Sequence, residues 1–253
     1  IVLPNSMHKE YTIRAAEAGK HVICEKPMAI NANECRKMIR ACKENNVKLS
    51  IGYRLHFEPY TQEVMRLGQE KVFGDVRHIS CGAAFRNTNF DSWKWEKEMG
   101  GGAMMDMGVY PLQGARYVTG EEPLSVTAQS YVLRPGKYEE VDEATNFQLE
   151  FPGGAIASLS TGFHASFNYL QAYAKDGWFE LKPFSGYGGI KGRTSKGTLD
   201  FPNINQQAAQ MDEVAECILE DRPMRVPGEE GLKDMIVVDA VHKALETGEK
   251  IYI

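Results

Sequence analysis

Residues 1–54 alternate short apolar strands with amphipathic helices, and that alternation constrains the fold more than any other feature. Residues 1–3, 22–24 and 47–53 read as strands of near-continuous apolar character. "MHKEYTIRAAEAGK" lies between the first two and reads as a helix stopped at Gly19. A second helix begins after Asn31 as N-cap, with Glu34 three residues on and Cys35, Met38, Ile39 and Cys42 at helical spacing. Apolar strands separated by helices predict a parallel sheet covered on both faces. Ligands bind beyond the carboxyl ends of such strands. Pro4-Asn5, Glu25-Lys26 and Tyr53-Arg54 each follow a strand, so they are expected on one rim.

From about residue 75 the texture changes. Stretches 75–86, 124–133, 144–151, 154–163, 169–175, 177–182 and 196–201 read as strands, with hairpin turns at Pro152-Gly153-Gly154 and Asp176-Gly177. Helical patterns cover 102–118, 205–220 and 229–247. The reading is therefore α/β followed by α+β: residues 1–54 as one unit, and residues 55–253 as a second built on a large, mostly antiparallel sheet. Tyr131, Tyr169 and Tyr173 are expected on its faces. An open sheet of long strands invites pairing, so a homo-oligomer is expected.

Composition narrows the function classes. With 43% hydrophobic and 25% charged residues the chain reads as an ordinary globular protein. A formal charge of -5 leaves no electrostatic footprint for nucleic acid. No apolar run reaches the roughly 18 residues of a membrane span. The five cysteines are odd in number and widely spaced, which suits free thiols in a reducing, cytoplasmic compartment. Neither they nor the six histidines show metal-ligand spacing, so no metal is expected. The chain opens on "IVLPN", with no Met and no polar lead-in, and reads as part of a longer one.

The second informative stretch is "GGGAMMDMGVYPLQGARYVTG", residues 100–120. Its glycines follow the tryptophan-rich "DSWKWEKEM" rather than a strand, so they read as a tight loop before a helix more than as a phosphate cradle. Asp106 and Tyr110 are four residues apart and share a helix face. Pro111 lacks the N–H that would bond back to Met107, which predicts a kink there.

"LPNSMHKEYTIRAAEAGKHVICEKPMA", "IGYRLHFEP", the glycine-led helix above and "PGEEGLKDM" occur in the order found in the Gfo/Idh/MocA oxidoreductases. The chain resembles that family from end to end. It is most like the glucose–fructose oxidoreductase branch, and is similar also to dihydrodiol and xylose dehydrogenases. The resemblance implies the C-terminal part of a Rossmann domain for NAD or NADP, followed by a domain whose sheet walls the substrate site and joins copies into a homo-dimer or homo-tetramer. It implies that Glu25-Lys26-Pro27 carries a lysine reaching the substrate hydroxyl, with a Lys-Pro bond that is commonly cis. Asp106, Gly108 and Tyr110 match the family's Asp-x-Gly-x-x-His region, with tyrosine where many relatives carry histidine. The glycine-rich dinucleotide fingerprint and the residue that separates NAD from NADP do not occur in the chain.

These matches imply Lys26, Asp106 and Tyr110 as catalytic and substrate-binding residues. Hydride removal from a carbinol carbon needs a base for the hydroxyl proton. An ammonium beside a phenol favours the phenolate, and a carboxylate can hold either group. Pro4, Asn5, His8, Glu25 and Lys26 are expected at the cofactor, His8 alternatively as a plain helix N-terminal residue. Arg54 is expected at cofactor or substrate, or else solvated. Trp93 and Lys94 are expected to cap the cofactor, and His164 to line the substrate pocket. The function expected is an NAD(P)-dependent oxidoreductase acting on a small sugar or polyol. Two other readings stay open, a glycosidase using NAD transiently and a non-catalytic dinucleotide or sugar sensor, as does inactivity of a truncated chain.

Overall fold

The computed structural model describes residues 1–136 and 140–253, and its first elements follow the expected alternation. They are α1 (His8–Glu17), β1 (Val22–Cys24), α2 (Ala32–Glu44) and β2 (Leu49–Ile51). β1 and β2 are parallel, with Val22 opposite Leu49 and Cys24 opposite Ile51. Asn31 caps α2, its Oδ1 accepting from the Glu34 N–H at 2.9 Å. One expectation is corrected: residues 1–3 form no strand. Ile1 accepts a bond from Glu25 N at 3.0 Å, but Pro4 has no N–H to continue a ladder, and a 3-10 turn Asn5–Met7 begins there.

The second part contains α3 (Pro59–Gln69), β3 (Val76–Ala84), a π turn Met104–Gly108 that runs directly into α4 (Val109–Thr119), β4 (Ser125–Tyr131), β5 (Ala144–Glu150), β6 (Ile156–Gly162), β7 (Phe167–Ala174), β8 (Gly177–Leu181), β9 (Gly192–Thr194), β10 (Gly197–Leu199), α5 (Gln206–Leu219), α6 (Gly228–Thr247) and β11 (Ile251–Tyr252). Among the described residues, nine strands form one sheet in the order β10-β9-β8-β7-β3-β6-β5-β4-β11. Only the β3–β6 pair is parallel in that set. The stretch 196–201 is one arm of a short hairpin whose other arm, β9, the sequence reading omitted. It also omitted α3, which Glu58 caps by accepting from Thr61 N at 2.7 Å. Glutamate is not among the usual capping residues.

α4 is buried along nearly its whole length, as a helix apolar on most sides must be. At Gly114 a side chain would lie 2.8 Å from Leu170 Cδ1 and 3.0 Å from Cys81 Sγ, so only glycine lets the helix rest this closely on β3 and β7. The chain beyond residue 54 also returns to cover the first unit. Ile51 N bonds to Val226 O at 3.0 Å, and Asp239 on α6 accepts from Ala32 N at 2.9 Å at the start of α2. All five cysteines are buried free thiols. Among the described residues no helix is long and apolar enough to cross a membrane.

Candidate active site

The carboxyl ends of β1 and β2 sit against each other. Gly52 N bonds to Cys24 O at 2.7 Å, and a side chain at Gly52 would come within 3.2 Å of the Glu25 backbone. Beyond β1 the chain turns at a cis Lys26–Pro27 bond. Glu25 is half-buried and its carboxylate accepts from Lys26 N at 3.2 Å. Beneath this turn His8 is wholly buried, with one ring nitrogen 2.9 Å from Pro27 O and the other 2.9 Å from Leu3 O. Burial pushes its pKa down, against those two carbonyl contacts. His8 thus ties the loop after residue 3 to the loop that carries Lys26. Pro4 opens the neighbouring turn, its carbonyl accepting from Met7 N at 2.9 Å. Asn5 is buried and donates to Gly100 O at 2.8 Å.

That last bond joins the two halves of the site and explains the glycine run. A side chain at Gly100 would meet Ile30 Cγ2 at 2.7 Å and Asn5 Cβ at 2.8 Å, and one at Gly101 would meet Lys94 O at 2.4 Å. Close backbone approach, not phosphate binding, is what these glycines permit. Immediately beyond them the π turn presents Asp106, and π turns of this kind recur at functional sites. The irregularity therefore precedes the kink expected at Pro111.

Asp106 is the centre of a charge cluster. Lys26 Nζ donates to its backbone oxygen at 2.5 Å and lies 3.4 Å from Oδ1, while Lys94 Nζ binds Oδ2 at 2.6 Å. Ser92 Oγ caps the 3-10 turn Trp93–Trp95 that carries Lys94, accepting from its N–H at 3.3 Å. Burial opposes charge on Lys26, but Tyr110, Asp106 and Glu25 outweigh it and hold its pKa above the usual value. Burial likewise opposes charge on Asp106, and Lys26 and Lys94 together hold its carboxyl below the usual range. The cluster is two ammonium groups about one carboxylate.

Tyr110 sits beside it, with Lys26 Nζ 4.8 Å from its ring centroid. Arg54 approaches the same ring at 5.6 Å and donates to the hydroxyl at 3.5 Å. Arg54 is only 5% exposed, so the solvated alternative does not apply. Its remaining donors go to Ser185 O at 2.7 Å, Gly186 O at 3.0 Å and Gln206 Oε1. Ser185, Gly186, Tyr187 and Gln206 were absent from the sequence reading. The glycine-flanked tyrosine in "FSGYGG" was the signal available for them.

Two expected residues stand apart from this cluster. Trp93 is half-buried in the turn beside Lys94. His164 follows β6 with its ring edge-on to Phe167 at 6.2 Å, and among the described residues no hydrogen bond or ring contact joins it to Lys26, Asp106 or Tyr110. Among the described residues no group of His, Cys, Asp or Glu could hold a metal.

The arrangement can fix a hydroxyl oxygen, exchange its proton and stabilise negative charge on it. It also fits a nicotinamide cofactor. Parallel-strand ends converge at one rim, and a half-buried lysine there donates to Asp106 beside a phenol. Lys26 and Lys94, both bonded to Asp106, with Trp93 in the same turn as Lys94, are the residues that would hold the cofactor, and when bound it would supply the hydride acceptor.

Comparison with known proteins gives the family. The family model described as an oxidoreductase family with an NAD-binding Rossmann fold matches residues 1–53, and the GFO/IDH/MocA C-terminal domain matches residues 61–181. The chain is 30% identical over 259 residues to the D-xylose 1-dehydrogenase [NADP(+)] of Haloarcula marismortui, covering 98% of this chain and 72% of that one. It is 35% identical over 162 residues to the trans-1,2-dihydrobenzene-1,2-diol dehydrogenase of Xenopus laevis, covering 63% of this chain and 47% of that one. Among solved structures it is similar to the aldose-aldose oxidoreductase of Caulobacter crescentus complexed with glycerol. That match has a TM-score of 0.96 and 38% identity, over 100% of this chain and 78% of the other. The chain belongs to the Gfo/Idh/MocA oxidoreductases, an NAD-binding family.

Proposed function

We propose that the protein interconverts a hydroxyl and a carbonyl on an aldose or related polyol, with NAD or NADP as cofactor. Tyr110 exchanges the hydroxyl proton, Lys26 holds the oxygen, and Asp106 fixes Lys26. The observation that carries the reading is the position of Lys26, bonded to Asp106 at 2.5 Å and 4.8 Å from the Tyr110 ring. A bound nicotinamide would supply the hydride acceptor at this rim. In the oxidative direction the substrate O–H proton passes to Tyr110 Oη, acting as the phenolate, as the C–H bond breaks and its hydride leaves to the cofactor. Lys26, kept charged by its neighbours, binds the oxygen through that change. Arg54 donates to the Tyr110 hydroxyl and Lys26 lies against the ring, so two positive charges flank the phenol. The sugar-acting relatives named above favour a small polyhydroxylated substrate.

The test is a panel of aldoses and polyols assayed with NAD and with NADP by nicotinamide absorbance. Turnover of at least one aldose is expected, and no turnover across the panel with either cofactor would reject the reading. Pairing of two copies through the open sheet belongs with this proposal. Thr127, Gln129, Asn146 and Gln148 leave one sheet face exposed and rich in hydrogen-bonding groups. Light scattering at micromolar concentration should give a dimer or tetramer, and a monomer would count against it. A cytoplasmic site of action also fits, since no cysteine is paired.

A further inference from the structure

Four side chains form an alternating row of cations and aromatic rings. Lys26 lies against the Tyr110 ring, Arg54 against Tyr110, and Arg54 again against the ring of Tyr187, 4.0 Å from its centroid. The row runs from the strand-end rim outward, and its last member is 68% exposed. An exposed tyrosine alone means little. This one is held from below by a guanidinium that is itself fixed by Ser185 O, Gly186 O and Gln206.

The loop that carries it is fastened from a second side. Asn168 on β7 accepts from Phe184 N at 2.8 Å and from Ser185 N at 2.9 Å, and donates to Ser185 Oγ at 2.9 Å. Gly186, Gly188 and Gly189 flank the ring, and side chains at Gly188 or Gly189 would meet nothing within 4 Å. The exposed ring is therefore pre-positioned, open on its approaches, and one guanidinium away from the Tyr110 hydroxyl. A rigid ring with an apolar face and a polar tip is suited to a flat ligand that presents C–H bonds on one side and hydroxyls around its edge.

We propose that Tyr187 is a specificity-determining residue: a stacking platform for the ring of a pyranose whose reacting hydroxyl lies at Lys26 and Tyr110. This rests on the proposed function and adds to it a preference for cyclic sugars over open-chain or three-carbon substrates. The platform acts on binding, and the proton step stays with Tyr110.

The test uses the cofactor-loaded protein and compares the ratio of kcat/KM for an aldopyranose such as xylose to that for glyceraldehyde, with Ki replacing KM for any compound that binds without turnover. Tyr187→Ala is expected to lower this ratio about five- to ten-fold, mostly through the pyranose KM, and Tyr187→Trp to keep it within two-fold. The exposed position leaves folding intact, which a melting curve of each variant checks. An unchanged ratio in Tyr187→Ala, or an equal loss for both substrates, overturns the platform while aldose turnover by the parent leaves the wider function standing. Failure of the parent to turn over or bind any aldose removes both.

Discussion

Asp106 and Asp234 are both carboxylates packed beside the same long helix, and both are paired with cations. Asp234 on α6 is 0% exposed, and α4 fills both of its oxygens: Arg116 binds Oδ1 at 2.5 Å and Gln113 binds Oδ2 at 2.8 Å. Arg116 spends its other donors on Glu122 and Glu230, each at 2.7 Å. Little hydrogen-bonding capacity is left there, and the network welds α4 to α6. Asp106 keeps 13% of its side chain exposed and sits on a π turn, and the two ammonium groups around it retain donors that it cannot fill. Surplus donors and surplus positive charge at a cleft suit an oxygen that gains negative charge during a reaction. A saturated network holds the fold, and an unsaturated one awaits a ligand.

Substituting one member of each network should separate the two roles. Lys26→Ala removes a group from the unsaturated cluster, so turnover should fall by roughly 10²–10⁴ with the melting temperature little changed. Activity within a few-fold of the parent would return Lys26 to the status of a strand-end lysine. Asp234→Ala instead leaves Arg116 buried and short of its partner. Unfolding in denaturant should show a loss of about 3–5 kcal/mol, with kcat of the folded fraction within a few-fold. A specific loss of kcat without destabilisation would erase the distinction between the clusters.

Tyr110→Phe is the next smaller effect. It retains the ring against which Lys26 and Arg54 pack and removes only the hydroxyl. Turnover should fall at least ~10²-fold, with a changed pH–rate profile. A variant within three-fold of the parent, roughly 0.7 kcal/mol of barrier, would leave Lys26 or a water as the proton carrier.

The same contrast explains what could be read from the sequence. The rim was legible because strands and helices alternate, so the residues after each strand must converge. Asp106 and Tyr110 were legible through their four-residue spacing, and the resemblance supplied roles for them and for Lys26. The π turn was not legible, because nothing in "AMMDMG" departs from an ordinary helical pattern. Neither were the remote partners of the glycines: Asn5 and Ile30 reach Gly100 only once both halves of the chain are folded. Arg54 read as a rim residue, yet its acceptors at Ser185, Gly186 and Gln206 come from remote stretches. β9 and β11 are too short to show a period of two. Local periodicity placed the elements, and long-range closure set most of the side-chain contacts.

The smallest expected effect concerns the stability that the open cluster still contributes. The folded pKa of Asp106 is depressed below its unfolded value, about 3.9 for a free aspartate. Between those two values the unfolded chain binds more protons than the folded one, so stability rises with pH there. The contribution is therefore fully present above about pH 4 and disappears as pH falls through the folded value. Lys26 has the opposite sign. Its folded pKa is raised, so its contribution is complete below the unfolded value of about 10.4 and is lost as pH rises through the folded one. Between these limits the pair should make stability flat. Asp106→Asn isolates the acid arm, because a neutral amide resembles the protonated carboxyl. Melting temperatures of parent and Asp106→Asn should differ near neutrality and converge as the pH drops below 4. A gap of constant size down to the acid limit would mean that Asp106 contributes by packing and hydrogen bonding alone, like a member of the closed network around Asp234.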